Sequence, residues 1–298
     1  MATPQTGIFA LGTISHAYLE LDLAAGAHAA DLVALTASLG EPRTMIGGVN
    51  VVAGFRPELW ADVAPDAAPP GLTGFGAALV GPDGCVFPAT QHDAVVWLAG
   101  AAYDVVFDES RRIVSALAPV ASLGHEIVGW PYHRDRDLTG FIDGTENPTG
   151  IEASGVAVVP AGAPGEGGSV LLLQQWEHDA RAWDSLPVPE QEQVMGRRKL
   201  DSAELDPKLV SSHVARTDQE QFGQILRRNI GYGTLSRHGT IFVGFSADQR
   251  RLAAMLDSML GREGGVRDDL TRFARAVTGA YYFVPSSERL AHVESQAE

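Results

Sequence analysis

The run Gly140-Phe141-Ile142-Asp143-Gly144-Thr145-Glu146-Asn147-Pro148 fixes the Asp143 carboxylate between two glycines near the middle of the chain. Glycine lets the backbone bend without a Cβ penalty, and Asn147-Pro148 adds a second turn signal. The apolar pair Phe141-Ile142 predicts a buried entering strand, so that Asp143 faces an interior. An Asp-Gly pair between apolar residues is most often only a hairpin turn, and the run gains chemical meaning from the company it keeps. A calcium loop is excluded. Asp143, Thr145 and Asn147 alternate as oxygen ligands do, but Pro148 stands where the loop requires glycine, and Ser154 where a bidentate Glu belongs.

The chain has 298 residues and is 45% hydrophobic, enough for a substantial core in two modest domains or one large one. Its formal net charge of −15, from 22 Lys+Arg and 37 Asp+Glu, argues against a nucleic-acid partner, which needs a basic face. A single cysteine, Cys85, excludes an internal disulfide, a cysteine-rich zinc site and haem attachment through Cys-x-x-Cys-His, so any haem is held non-covalently. Residues Met1 to Gly12 carry no basic region followed by an apolar core, there is no twin-arginine signal, and no long apolar span occurs. These features predict a cytoplasmic protein without a membrane partner.

Strand and helix patterns interleave. Ile14 to Leu21 alternates like a strand, Leu32, Leu35 and Leu39 mark a helix over Ala29 to Leu39, and Thr44 to Phe55 reads as a strand. A short buried strand at Val95 to Leu98, a helix within Tyr103 to Leu117 and a strand at Glu126 to Trp130 complete the first half. The second half repeats the scheme with strands at Val170 to Trp176 and Thr240 to Phe245 and a helix over Ala247 to Leu260. That helix carries an apolar stripe of Leu252, Met255, Leu256, Met259 and Leu260, and Ser246 with Gln249 predicts a capping box. Gln91 to Trp97 and Arg237 to Val243 share a polar-His-x-x-apolar order, each before a helix, which hints at internal duplication into two similar α+β halves with antiparallel sheets. Pro160 to Gly168, rich in Gly, Ala and Pro, reads as a flexible surface loop between them. Nucleotide-binding glycine motifs and Gly-x-Ser-x-Gly are absent.

Among nine histidines, His213 lies in Leu209-Val210-Ser211-Ser212-His213-Val214, a setting that places the imidazole indoors. By itself it reads first as a satisfied core histidine. Fourteen positions on, Arg227 and Asn229 in Gln224-Ile225-Leu226-Arg227-Arg228-Asn229 would point to one side of an extended segment, where a cation and an amide could meet Asp143.

Taken in order, Gly140 to Pro148, Ser212-His213-Val214, Ile225 to Asn229 and Val277-Thr278-Gly279-Ala280-Tyr281-Tyr282-Phe283-Val284-Pro285 resemble the bacterial dye-decolourising peroxidases of the compact group called class B. The match runs from about Gly7 to Pro285. The resemblance implies an α+β fold of two ferredoxin-like domains, antiparallel sheets flanked by helices as in the dimeric α+β barrel superfamily, divided here as 1–145 and 146–298. It implies non-covalent haem b in the C-terminal domain and a peroxidase that reduces hydrogen peroxide to water through an oxoferryl intermediate while oxidising dyes, phenols or other one-electron donors. His213 would be the axial iron ligand, with the Asp268 carboxylate on its other nitrogen and Asp269 as the neighbouring alternative. Asp143, Arg227 and Asn229 would line the peroxide side, and a homo-oligomer, dimer or hexamer, is expected.

These residue types suit that chemistry. A neutral imidazole is a good iron ligand, and a carboxylate on its far nitrogen fixes the tautomer and increases donation. On the peroxide side a base that becomes an acid can carry a proton from one oxygen to the other, the role predicted for Asp143, while Arg227 supplies fixed charge where the O–O bond polarises and has the larger expected effect. Asn229 would orient peroxide or water. Trp60, Trp97, Trp130, Trp176, Trp183 and Tyr281 are available to relay electrons from bulky donors but read first as packing residues. Two other readings stand beside this one, a porphyrin-handling protein with the same pocket and a cofactor-free α+β dimer. The short tail from Ser286 to Glu298 carries no apolar targeting motif for packaging in a nanocompartment.

Overall fold

A computed structural model describes residues 2–39, 48–133 and 135–297. Its main sheet contains β1 (Ser15–Leu23), β2 (Val49–Phe55), β3 (Ala94–Gly100), β4 (Ala121–Trp130), β5 (Ser169–His178), β6 (Ile230–Gly233), β7 (His238–Ser246) and β8 (Ala280–Val284). Each neighbouring pair is antiparallel, in the order β5-β8-β2-β3-β1-β4-β6-β7, and β7 pairs back onto β5, so these strands close into a barrel. Positions 44–47 of the strand expected over Thr44 to Phe55 lie outside the described residues, and its remainder is β2.

Both halves of the barrel have the same strand arrangement, with their first and third strands central. Helices α1 (Ala29–Ser38) and α2 (Tyr103–Leu117) cross behind the first half, and α3 (Gln249–Met259) crosses behind the second. The two similar sequence runs, Gln91 to Trp97 and Arg237 to Val243, lead into or form the third strand of each half, which is followed in each case by a helix. A last helix, α4 (Ser287–Ala297), returns to pack on α1, and its Leu290 and Val293 join the core of the first half.

Alternation along the strands divides the interior into layers. Tyr18, Trp97, Leu171, Leu173, Val243, Phe245 and Tyr282 fill the barrel. Leu19, Val96 and Leu98 face α1 and α2, whereas Val170 and Leu172 face α3. Because both sides of β5 are covered, Val170 to Leu173 is an unbroken apolar run. The apolar stripe of α3 is buried as its spacing predicts, but the helix is capped by Asp248, whose carboxylate accepts from the Arg250 N–H, and not by Ser246. Ser246 still ends β7, wholly buried, and its hydroxyl accepts from the Asp248 N–H instead. Pro160 to Gly168 is a series of turns tied by Val159 and Gly168 backbone bonds and by Glu166, which accepts from Gly162 and Ala2.

Candidate active site

Three connections, not the long strands of the barrel, deliver the polar residues singled out from the sequence. The loop joining the halves carries Asp143, the long crossover from β5 to β6 carries His213 and Arg227, and the connection from α3 to β8 carries Asp268. They enclose a cavity against the outer face of the second half, with Leu172 and Trp176 of β5, Phe242 of β7 and Leu252, Met255 and Met259 of α3 as apolar walls.

His213 opens a single helical turn, His213–Arg216, capped by the wholly buried Ser212, whose Oγ accepts from the Ala215 N–H at 3.4 Å. Its Nδ1 lies 2.7 Å from Asp268 Oδ2. Asp268 is 0% exposed, and its other oxygen accepts from the Leu270 N–H at 2.9 Å. Asp269 turns elsewhere, accepting from Ser211 Oγ at 2.6 Å and pairing with Arg272. The buried carboxylate therefore fixes a proton on Nδ1 and directs Nε2 as the ring nitrogen left for the cavity that His213 lines.

The loop around Asp143 is not the strand that Phe141-Ile142 predicts. Gly140, at φ +84°, ends a tight reversal in which Gly140 N–H donates to the Asp137 carbonyl, and Ile142 makes only an isolated bridge to Arg136. Phe141 is nevertheless buried, against Trp183 and Met195, and anchors the loop. Gly144 follows at φ +76°, and its N–H donates to Asp143 Oδ1 at 2.7 Å. Asp143 is half-buried and lines the cavity.

Arg227 belongs to a two-residue strand, Leu226–Arg227, paired with Gly244 and Phe245 of β7. The Asn147 side chain binds its other edge: Oδ1 accepts the Arg227 N–H and Nδ2 donates to the Arg227 carbonyl, each at 2.8 Å. The Arg227 Nε is buried without a hydrogen-bond partner, and the guanidinium makes no ion pair among the described residues. Asn229 Oδ1 accepts the Val243 N–H at 3.2 Å, so its Nδ2 is the group left to donate into the cavity. Between them Arg228 points the other way, over the Trp97 ring and onto the Ile8 and Ala10 carbonyls. The spacing of two thus brings Arg227 and Asn229 to one cavity together with Asp143.

Sequence reading missed Asp137 and Arg197, which also line the cavity. Burial, and then the charge of Asp143, push the Asp137 carboxyl up to about 6, against the N–H and hydroxyl of Thr139, which both donate to it. Arg197 is held by Glu146 and Glu204. Asn147 was visible only as a turn signal, since nothing local reveals an edge 80 residues away.

These residues fit a haem. Its flat apolar macrocycle needs apolar walls, and its iron needs a nitrogen donor, for which His213 Nε2 is available in the cavity. The orphaned, buried Nε of Arg227 is a polar donor that the protein alone leaves unsatisfied.

A family model for the C-terminal part of Dyp-type peroxidases matches residues 134–289. A dye-decolorizing peroxidase of Rhodococcus erythropolis is 36% identical over 272 residues, covering 88% of this chain and 79% of that one. One from Mycobacterium tuberculosis is 33% identical over 254 residues, covering 82% and 75%. Among solved structures, a dye-decolorizing protein from V. cholerae superposes with a TM-score of 0.88 at 32% identity, over 97% of this chain and 99% of that one. A variant of DypB from Rhodococcus jostii RHA1 in complex with heme superposes with a TM-score of 0.86 at 32% identity, over 98% of both chains.

Proposed function

The chain belongs to the dye-decolourising peroxidase family, and we propose that it is a peroxidase that uses non-covalent haem b to reduce hydrogen peroxide to water at the expense of dyes, phenols or other one-electron donors. The observation that carries this reading is the convergence on one apolar cavity of a carboxylate-bound histidine with an aspartate, an unpaired arginine and an asparagine.

His213 would hold the haem iron through Nε2, and Asp268, as acceptor of the Nδ1 proton, would increase the donor strength of the ring. When bound, haem would supply the redox chemistry, a store of oxidising equivalents that one-electron donors refill. Asp143 would take a proton from one oxygen of hydrogen peroxide and return it to the oxygen that leaves as water. Arg227 stabilises the negative charge gathering on that leaving oxygen, and the Asn229 amide donates a hydrogen bond that orients the peroxide. The cavity's apolar walls exclude competing water. We read residues 1–145 and 146–298 as two ferredoxin-like domains, the second holding the haem. We place the protein in the cytoplasm as a homo-oligomer, dimer or hexamer. No helix among the described residues is long and apolar enough to cross a membrane.

Stopped-flow absorption of the haem-loaded protein with one equivalent of hydrogen peroxide tests the reading. Rapid conversion of the Soret band and its return when a donor dye is added support a peroxidase, and His213→Ala should lose or loosen the haem. Slow bleaching without turnover would point to porphyrin handling, and no Soret band in protein made with ample haem would remove the haem reading altogether.

A further inference from the structure

We propose that Asn147 is a positioning residue for the peroxide reaction, holding the backbone of Arg227 in register with the Asp143 loop; the proposal rests on the reading of Arg227 as the peroxide-side cation.

The argument starts from what does not hold Arg227. Its guanidinium has no ion pair among the described residues, and its Nε is buried without a partner, so the place of the charge is inherited from the backbone. That backbone is a two-residue strand with β7 on one edge only. On the free edge the Asn147 amide takes the place of a neighbouring strand, accepting from the Arg227 N–H and donating to the Arg227 carbonyl, both at 2.8 Å. An exposed strand edge carries just this alternation of donor and acceptor. Asparagine matches it, whereas aspartate offers two acceptors, leucine offers neither, and glutamine is a methylene too long.

The other end of the clamp reaches the carboxylate. The Asn147 N–H donates to the Gly144 carbonyl at 3.0 Å, and the Gly144 N–H donates to Asp143 Oδ1 at 2.7 Å. A Cβ on Gly144 would meet Asn147 Nδ2 at 3.2 Å, so the amide lies close over the turn that presents Asp143. One turn and one side chain therefore connect the proton carrier to the cation. Reacting groups tolerate little misplacement, and a shift on the order of 1 Å can cost about 100-fold in rate.

The test is a double-mutant cycle on the haem-loaded enzyme with Asn147→Leu, Arg227→Leu and the pair. Four quantities are read: the second-order rate with peroxide, the affinity of the ferric protein for fluoride, an anion that needs a nearby donor, the donor dye KM, and the thermal midpoint, which shows whether a variant folds. Asn147→Leu should slow the peroxide reaction about 10- to 100-fold and weaken fluoride binding, with the donor dye KM unchanged. In the Arg227→Leu background it should add less than about 2-fold, because residues acting through one another are not additive. Equal losses in both backgrounds, or a parental rate for Asn147→Leu, would overturn the proposal. If Asn147→Leu does not fold, Asn147→Asp, which keeps the acceptor and size, is read the same way. A parental rate for Arg227→Leu would instead overturn the reading of Arg227 itself, and this proposal with it.

Discussion

His213 and Asp268 are joined by one 2.7 Å hydrogen bond between residues 55 apart in the chain, and the carboxylate end of that bond is wholly buried. A buried carboxylate with one oxygen on the Leu270 N–H and the other on an imidazole is fixed in direction. Its partner nitrogen has no freedom to change tautomer.

Replacing Asp268 with Asn keeps an oxygen that can accept from Nδ1 but removes the negative charge. The variant should retain haem, show a more positive midpoint potential in a redox titration, and react with peroxide about 10- to 100-fold more slowly. An unchanged potential would mean that the carboxylate serves only to orient the ring.

Arg227→Leu should slow the reaction with peroxide by about 100- to 1000-fold, and by more than Asp143→Asn does. The physical reason is competition. Asp143 Oδ1 already accepts from the Gly144 N–H, whereas no group among the described residues shares the Arg227 Nε. Rates under excess peroxide compare the two variants directly, and the reverse order would make proton transfer the dominant contribution.

What the sequence could and could not reveal follows from the range of each interaction. The α3 stripe and the apolar run of β5 were legible because they depend on spacing within one element. Closure of the barrel was not, since β8 meets β2 through a single pair, Phe283 with Phe55, and backbone pairing leaves no side-chain signature. Within the site, Arg227 and Asn229 could be grouped by chemical type and spacing and Asp143 by its glycines, whereas His213 stood out among nine histidines only through the family resemblance. The Asp137 carboxyl could not, because its raised proton affinity comes from burial and from a neighbour that only the loop reversal brings near. The resemblance favoured Asp268 as the partner of His213, and the fold alone excludes Asp269, whose carboxylate faces Ser211.

Asp137 should make the haem-free protein less stable toward neutral pH. Its carboxyl is raised by burial from 3.8 to about 6, so the unfolded chain releases this proton first. The folded state is favoured below pH 3.8, and the benefit is lost as pH rises through 6. Asp137→Asn removes the charge while keeping an oxygen for Thr139. Urea unfolding should show it more stable than the parent at pH 7 by about 1–3 kcal/mol and equal to it near pH 4. A constant difference across that range would contradict the assignment.

Inside the barrel, Tyr282 donates to Glu20 Oε1 at 2.6 Å, and the carboxyl is 1% exposed. Burial raises its proton affinity, while the Tyr282 hydroxyl and the imidazoles of His92 and His125 lower it. Two substitutions should therefore act in opposite directions. Tyr282→Phe leaves a buried acceptor without its donor and should destabilise by about 1–3 kcal/mol at pH 7. The loss shrinks in acid, where a protonated Glu20 tolerates burial. Glu20→Gln keeps an oxygen for the phenol and removes the buried charge, so it should match or exceed the parent at pH 7. Its advantage falls away as pH drops toward the ordinary carboxylate value, because the parent is then protonated too. Thermal unfolding of both variants at pH 4.5 and 7.5 checks the pair. If Glu20→Gln proved the less stable at pH 7.5, the ionised carboxylate would be contributing attraction to His92 and His125 that outweighs its desolvation, and the polar end of the barrel would be an ion cluster instead of a buried acid.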